Sequence, residues 1–393
     1  MATPTELELT PEAAAFVRGG GRDVDTSKLP AAAGLAAGAR VRLVDPSLDE
    51  VGLAVVDPDN QRLRVLAVPA DGFVAIDGAL IGWRVERALA WRKRLALPGP
   101  EAAYRLIHGA GDGLPGFACD VLGRHAVLWA YAPALVPLAR QLAEAIRGFA
   151  GVDGVVVKVR ARGGADAVTQ EVVGATPPEA YVALERGVPF EIHALGGLNV
   201  GLFTDMREHR VGLARHAGGA AVLNLFSYTG ALSVACARAG AASVTSVDTS
   251  AGVQAWARGN FARSGLVDDA RWKFETGDAV RFLARAAKTR ERYDLVLIDP
   301  PTFSTARGAP WTLDRDYPAL IGQAAAVIPP GGLLWLAANT NELGSLVRLA
   351  HKGVRSAGRD AAIVEQGGLP PDYPTSMAQP RDRYLQVVLL RLT

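Results

Sequence analysis

The sequence predicts an α/β protein whose second half is a doubly wound, nucleotide-binding sheet, and it does so in three places. The apolar run Ala221-Val222-Leu223-Asn224-Leu225-Phe226 passes through Ser227-Tyr228-Thr229-Gly230 into an alanine-rich helical segment, the strand–glycine turn–helix order of a mononucleotide-binding unit. A second strand, Ser243-Val244-Thr245-Ser246-Val247, ends in Asp248. Two further strands follow: Trp272–Thr276 leads to Gly277-Asp278, and Tyr293–Ile298 leads to Asp299-Pro300-Pro301-Thr302-Phe303. Acids therefore fall at three successive strand ends, where open α/β sheets bind their ligands. Gly230 lets the backbone approach a ligand closely, and a carboxylate at a strand tip can accept both hydroxyls of a ribose. The loop lacks Gly-x-Gly-x-x-Gly and nothing marks a nicotinamide site, which disfavours a dehydrogenase.

At 393 residues the chain has room for two or three domains, each with its own core. A composition of 49% hydrophobic and 21% charged residues is that of a soluble globular protein, and no apolar run is long enough to span a membrane. The opening Met-Ala-Thr-Pro-Thr-Glu has neither the basic nor the apolar region of a signal peptide. The expectation is a cytoplasmic protein with no membrane partner. Cys119 and Cys236 stand far apart, outside any Cys-x-x-Cys spacing or His/Cys cluster, so neither a disulfide framework nor a metal site is expected. The formal net charge is +2; residues 201–300 carry +3 and residues 301–393 carry +2, against −1 and −2 for the two preceding hundreds. That excess suits a polyanionic substrate, although a dedicated nucleic-acid domain is usually far more basic.

Residues 1–80 alternate short apolar runs, Ala39–Val44, Gly52–Val56 and Leu63–Val68, with turn signals such as Asp57-Pro58-Asp59-Asn60, and read as a small β-rich domain. Residues 81–100 read as a connecting helix, with Trp83, Arg87 and Trp91 on one face and a stop at Leu97-Pro98-Gly99-Pro100. Its tryptophans are expected to pack between domains; contact with RNA phosphates is the alternative. Residues 101–195 read as a small α+β domain containing a glycine-rich turn at Gly109–Gly116, a helix over Leu135–Ala150 and a strand over Gly154–Arg160. In residues 196–393, Leu333–Ala338, Ala361–Glu365 and Tyr384–Leu390 bring the strand count to seven, with the last strand antiparallel.

Asn224-Leu225-Phe226-Ser227-Tyr228-Thr229-Gly230, Val247-Asp248-Thr249-Ser250 and Asp299-Pro300-Pro301-Thr302-Phe303-Ser304 resemble motifs of the bacterial large-subunit ribosomal RNA methyltransferases that use S-adenosylmethionine. The resemblance covers nearly the whole chain, strongly in the second half and loosely at the start. It implies a PUA-like domain at 1–80, a middle domain at 101–195 and a Rossmann-like, seven-stranded class I methyltransferase domain at 196–393. It also implies S-adenosylmethionine as cofactor, with Asp248 taking the ribose hydroxyls and Ser250 beside it. Asp278 would take the adenine amine, and the loop of Asn224, Phe226, Tyr228, Thr229 and Gly230 the methionine end. Phe203, Asp205 and Arg207 match a family pattern in which the arginine pairs with the cofactor carboxylate; from the residues alone, the same segment reads as a helix cap with an exposed ion pair. Asp299, Pro300, Pro301 and Phe303 would form the catalytic loop. Two prolines stiffen its backbone, Phe303 offers a stacking face for a flipped base, and Asp299 can accept a hydrogen bond from a base amine. The chain departs from the family at Arg18–Arg22, which lacks the expected aromatic residue, and at Gly197–Gly201, where a glutamine–lysine pair is usual. The implied partner is ribosomal RNA or a pre-ribosomal particle, and a homodimer is compatible with the sequence.

The family includes cytosine-C5 and guanine-N7 methylating members. Carbon-5 of cytosine is a poor nucleophile and requires a cysteine thiolate to add to the ring first. Neither Cys119 nor Cys236 is placed for this, and Ala337-Ala338-Asn339-Thr340-Asn341 stands where the cytosine enzymes carry a cysteine. The favoured reading is nitrogen methylation, guanine first. Cytosine-C5 methylation, a same-fold methyltransferase acting on a protein or small molecule, and a binding module that keeps the fold without catalysis remain as alternatives.

Overall fold

The computed structural model describes residues 5–160, 168–266, 270–301, 303–304, 311–340 and 344–393. Burial of the apolar runs divides the chain into two compact units. Met1–Gly187, Ile192–Thr204 and Pro371–Asp382 form the first; Val188–Glu191, Asp205–Pro370 and Arg383–Thr393 form the second.

Among the described residues, the first unit contains a five-stranded sheet in the order Thr5–Glu8, Arg40–Val44, Glu50–Asp57, Arg62–Ala67, Asp23–Asp25. A second sheet runs Val168–Gly174, Gly154–Val159, His125–Ala130, Phe117–Leu122, Ala103–His108, with the helix Val136–Ala150 beside it. The helix Gly78–Arg94 explains why both sheets fall in one unit. The Asp77 carboxylate caps it, accepting from Ala79 N at 3.0 Å and Leu80 N at 3.1 Å. Its Leu80, Ile81, Val85 and Leu89 share one buried cluster with Leu53, Val55 and Leu66 of the first sheet and with Tyr104, Leu106 and Leu128 of the second. Trp83 packs against this shared cluster as expected, and Trp91 departs from the expectation. Trp83 is half-buried, packed on Phe73, whereas Trp91 is 39% exposed.

The segment Pro371–Asp382, expected within the span 196–393, belongs instead to the first unit. Polar contacts hold it there: buried Asp372 accepts from Arg105 N at 3.0 Å, and the Tyr373 hydroxyl lies 2.6 Å from Thr204 Oγ1.

The described part of the second unit is built on a seven-stranded sheet: β1 Ala221–Leu225, β2 Ser243–Asp248, β3 Trp272–Thr276, β4 Leu295–Ile298, β5 Leu333–Asn339, β6 Ala361–Gly367 and β7 Leu385–Leu392. The order is β3-β2-β1-β4-β5-β7-β6, parallel except for β7, which runs antiparallel to both neighbours. This is the Rossmann-like sheet expected from the sequence. The central strands are buried along their length, which is why they read as continuous apolar runs rather than alternating ones. Strand order reverses between β1 and β4, the switch point where a ligand crevice opens. No helix among the described residues is long and apolar enough to cross a membrane.

One buried hydroxyl fixes the ends of β4 and β5. Tyr317, on the helix Leu313–Ala325, places its hydroxyl 3.0 Å from Ile298 O and 2.8 Å from Ala337 O. Tyr317→Phe removes the hydroxyl's hydrogen bond to each carbonyl in the core and should cost about 1–3 kcal/mol. Urea unfolding, followed by near-ultraviolet circular dichroism, will show an earlier transition; an unshifted curve would mean that the hydroxyl contributes nothing.

Candidate cofactor and catalytic site

β1 ends in buried Leu225, and the chain then turns through a loop that most residues resist. Phe226 (φ 59°), Tyr228 (φ 47°) and Gly230 (φ 77°) are all left-handed, a conformation that costs a side-chain-bearing residue about 1–2 kcal/mol. Backbone bonds compensate. Ser227 N donates to Val247 O at 3.0 Å, Gly230 N to Ser227 O at 2.9 Å, and Tyr228 N to Asp248 Oδ2 at 3.0 Å. Asn260 Nδ2 reaches Thr229 O at 2.9 Å. At Gly230 a Cβ would stand 3.1 Å from Ala257 Cβ, so the loop lies directly on the helix Ala251–Arg263.

Asp248, half-buried at the tip of β2, also accepts from Ser250 N at 3.1 Å through Oδ1. Each carboxylate oxygen can accept more than one hydrogen bond, so the group retains capacity for a diol. Ser250 itself caps the next helix, its Oγ accepting from Val253 N at 3.2 Å. After β3, Gly277 N donates to Asp248 O at 2.8 Å, which brings Asp278 alongside. Asp278 caps the helix Ala279–Thr289, its Oδ1 accepting from Arg281 N at 3.0 Å.

A buried polar layer supports these tips. Asn224 Nδ2 donates to Ser233 Oγ at 2.9 Å, and Ser233 Oγ lies 2.8 Å from Ser246 Oγ. Gln254 Nε2 lies 3.1 Å from Ser246 O and 3.2 Å from Glu275 O, joining β2 to β3. Asn224 Oδ1 and Gln254 Oε1 are buried acceptors without a hydrogen-bond partner among the described residues. Sequence reasoning missed Gln254 and Asn260, which no motif marks. The available signal was spacing: Gln254, Ala257 and Asn260 recur every three residues on one helix face, and all three are buried.

Asp299 follows β4. Burial, reinforced by the negative charge of Asp205 and opposed by Arg210, pushes its carboxyl up to about 7. Asp205 is buried and accepts from the Tyr384 hydroxyl at 3.1 Å. Arg207, first residue of the helix Arg207–Ala217, is only 2% exposed, with Nε 3.2 Å from Glu208 Oε1. The exposed ion pair suggested by the residues alone is therefore replaced by a buried guanidinium. Phe203 falls in the first unit and is 42% exposed. Pro300 is buried and Pro301 exposed. Thr302 and Asn341 lie outside the described residues; Phe303 pairs through its backbone with Thr312 in a short hairpin. Cys119 and Cys236 are fully buried; burial pushes the Cys236 thiol up to about 12 and the Cys119 thiol upward as well. Gly230→Ala places a Cβ against Ala257 at a left-handed position and should lower stability by about 1–2 kcal/mol. Thermal unfolding checks this; an unchanged midpoint would show that the loop has slack.

Residues 133–388 match the family described as S-adenosylmethionine-dependent methyltransferase. Over 355 residues the chain is 29% identical to a ribosomal RNA large subunit methyltransferase I from Klebsiella pneumoniae, covering 89% of this chain and 88% of that one. A protein of the same name from Shewanella denitrificans is 29% identical over 353 residues, covering 87% of each chain. Among solved structures, a SAM-dependent methyltransferase from Streptococcus mutans aligns with a TM-score of 0.85 at 24% identity, over 98% of this chain and all of that one. Another, the methyltransferase SMU.776 complexed with SAH, aligns at 0.87 and 24% identity, with the same coverage. These structural likenesses bear on the fold. The strand-end acids, the left-handed loop and the buried acceptor beneath it suit a cofactor with a ribose diol, an adenine amine and an amino-acid end. With the family match spanning more than half of its length, the chain belongs to the S-adenosylmethionine-dependent methyltransferases.

Proposed function

We propose that the protein methylates a base nitrogen of large-subunit ribosomal RNA, guanine being the first candidate. The relatives named as large-subunit ribosomal RNA methyltransferases support the substrate class, since they align over nearly the whole chain. The observation that carries the choice of atom is the burial of both cysteines, with their thiols held protonated. A cytosine-C5 route requires a thiolate at the ring, whereas a ring or exocyclic nitrogen needs no covalent intermediate.

In this reading Asp248 would hold the ribose hydroxyls, Asp278 the adenine amine and the Asn224–Gly230 loop the methionine end, with Arg207 toward the carboxylate. The cofactor supplies an electrophilic methyl group on a sulfonium, so the protein contributes chiefly proximity and orientation. Ionised Asp299 is the stronger, charge-assisted acceptor for a base amine, and in this reading it is the competent form. With its carboxyl near 7, the competent form fills as pH rises and is lost as pH falls.

Two measurements test this. Asp248→Ala should weaken S-adenosylhomocysteine binding at least about tenfold by calorimetry, through loss of two charge-assisted hydrogen bonds; unchanged affinity would remove Asp248 from the ribose site. For the wild type, kcat/KM should fall about tenfold per unit below pH 7 and level off above it, and Asp299→Asn should flatten the profile and lower the rate at least about 100-fold. Nucleoside mass spectrometry of ribosomal RNA incubated with methyl-labelled cofactor identifies the atom. Labelled methylguanosine is expected; labelled 5-methylcytidine would overturn the nitrogen reading, and unlabelled RNA would turn attention to protein or small-molecule substrates.

A further inference from the structure

The solvent face of the helix Gly78–Arg94 has no part in the site described above, yet its composition is unusual. Trp83, Arg87, Trp91 and Arg94 follow one another at steps of four, four and three residues. They therefore lie along one face over roughly 16 Å. We propose that this face is a platform for single-stranded RNA, an inference that rests on the ribosomal RNA reading and extends it to a second contact surface.

The charges on the two sides of the helix are treated differently. On the buried side, Arg84 meets Asp71 at 2.6 Å and Arg92 Nη2 meets Asp112 Oδ2 at 2.8 Å, so each cation is neutralised as burial requires. On the exposed side, Arg87, Lys93 and Arg94 have no carboxylate within ion-pair distance among the described residues. Glu86 is the one exposed acid of the helix against three exposed cations. One of these cations stacks on an aromatic ring. Arg87 holds its guanidinium 4.7 Å from the Trp83 ring centroid, and Trp83 rests on Phe73 with centroids 5.2 Å apart. Trp91 is 39% exposed even though its Nε1 donates to Pro371 O at 2.9 Å, a bond that fixes one edge of the indole while the side chain stays open to solvent.

An exposed indole held by one edge, on a helix face carrying uncompensated cations, matches a polyanion with accessible flat bases. Phosphates take the guanidinium and ammonium groups, and unpaired bases stack on the rings. A duplex would use the charges but conceal its base faces, and so gives the tryptophans no role.

The test uses the full-length protein, a labelled oligouridine as probe, and three variants: Trp91→Ala, Trp91→Phe and the triple change Arg87→Gln, Lys93→Gln, Arg94→Gln. Calorimetry with S-adenosylhomocysteine selects variants that remain folded. Trp91→Ala should weaken oligouridine binding at least about fivefold and Trp91→Phe should retain most of it; the triple variant should flatten the slope of log affinity against log salt by about 2. Variants that bind with wild-type affinity and slope overturn the platform, and if the wild type still labels ribosomal RNA the substrate reading survives. A wild type that neither binds oligouridine nor labels ribosomal RNA overturns both. Normal oligouridine binding by the variants with weakened labelling of pre-ribosomal particles would assign the face to a protein partner and overturn the RNA platform.

Discussion

The second unit depends on the Asp248 carboxylate. Phe226 and Tyr228 adopt backbone conformations that cost energy in isolation, and the Tyr228 N–H bonded to Asp248 is a direct restraint that keeps the loop in them. The same carboxylate takes Ser250 N–H and so sets the start of the following helix. That helix returns Gln254 and Asn260 to the strand tips and to Thr229. One strand-end acid thus organises the glycine loop, the next helix and the neighbouring strand, and retains acceptor capacity for a ligand. Such a loop suits a cofactor that must be held in one orientation for in-line transfer, because its shape is set before the ligand arrives.

Asp299 illustrates the other consequence of a parallel sheet buried on both sides. Strand β4 is apolar throughout, and the acid at its end inherits that environment together with the charge of Asp205. Desolvation and like charge both favour the protonated carboxyl, and Arg210 only partly offsets them. A carboxyl raised to about 7 changes its charge near neutrality. Buried Tyr317 holds the carbonyl just before it, so the acid stands on a fixed strand end rather than a loose loop.

Electrostatics in the first unit follow a different rule. Several of its arginines are ion-paired, Arg64 with Asp57 and Asp23, Arg84 with Asp71, Arg92 with Asp112 and Arg105 with Asp120, whereas the fully buried Lys158 donates to the Gly196 and Gly197 carbonyls. The small negative excess of residues 1–200 therefore says little about the surface presented to a partner. Counting charge by segment treats a neutralised internal arginine and a solvent-facing one alike, whereas only the latter attracts a polyanion.

The seven-strand sheet, its antiparallel last strand and the acids at its tips were legible in the sequence, because strand periodicity, glycine turns and strand-terminal acids are local signals. The helix over 78–94 was legible for the same reason. Which of its faces would be buried was not: the apolar side chains that cover Leu80, Val85 and Leu89 come from two sheets remote in sequence, so Trp91 remained at the surface where a packed indole was expected. Gln254 and Asn260 escaped notice because a polar residue on a helix declares its role only once its carbonyl partners, contributed by other strands and loops, are assembled around it. Likewise, the order of residues placed Arg207 near a helix start, and tertiary packing alone decided that its guanidinium would be buried. Local chemistry along the chain determined the strands, the turns and the acids; burial and charge pairing are properties of neighbours distant in sequence, and they were decided only when the chain closed on itself.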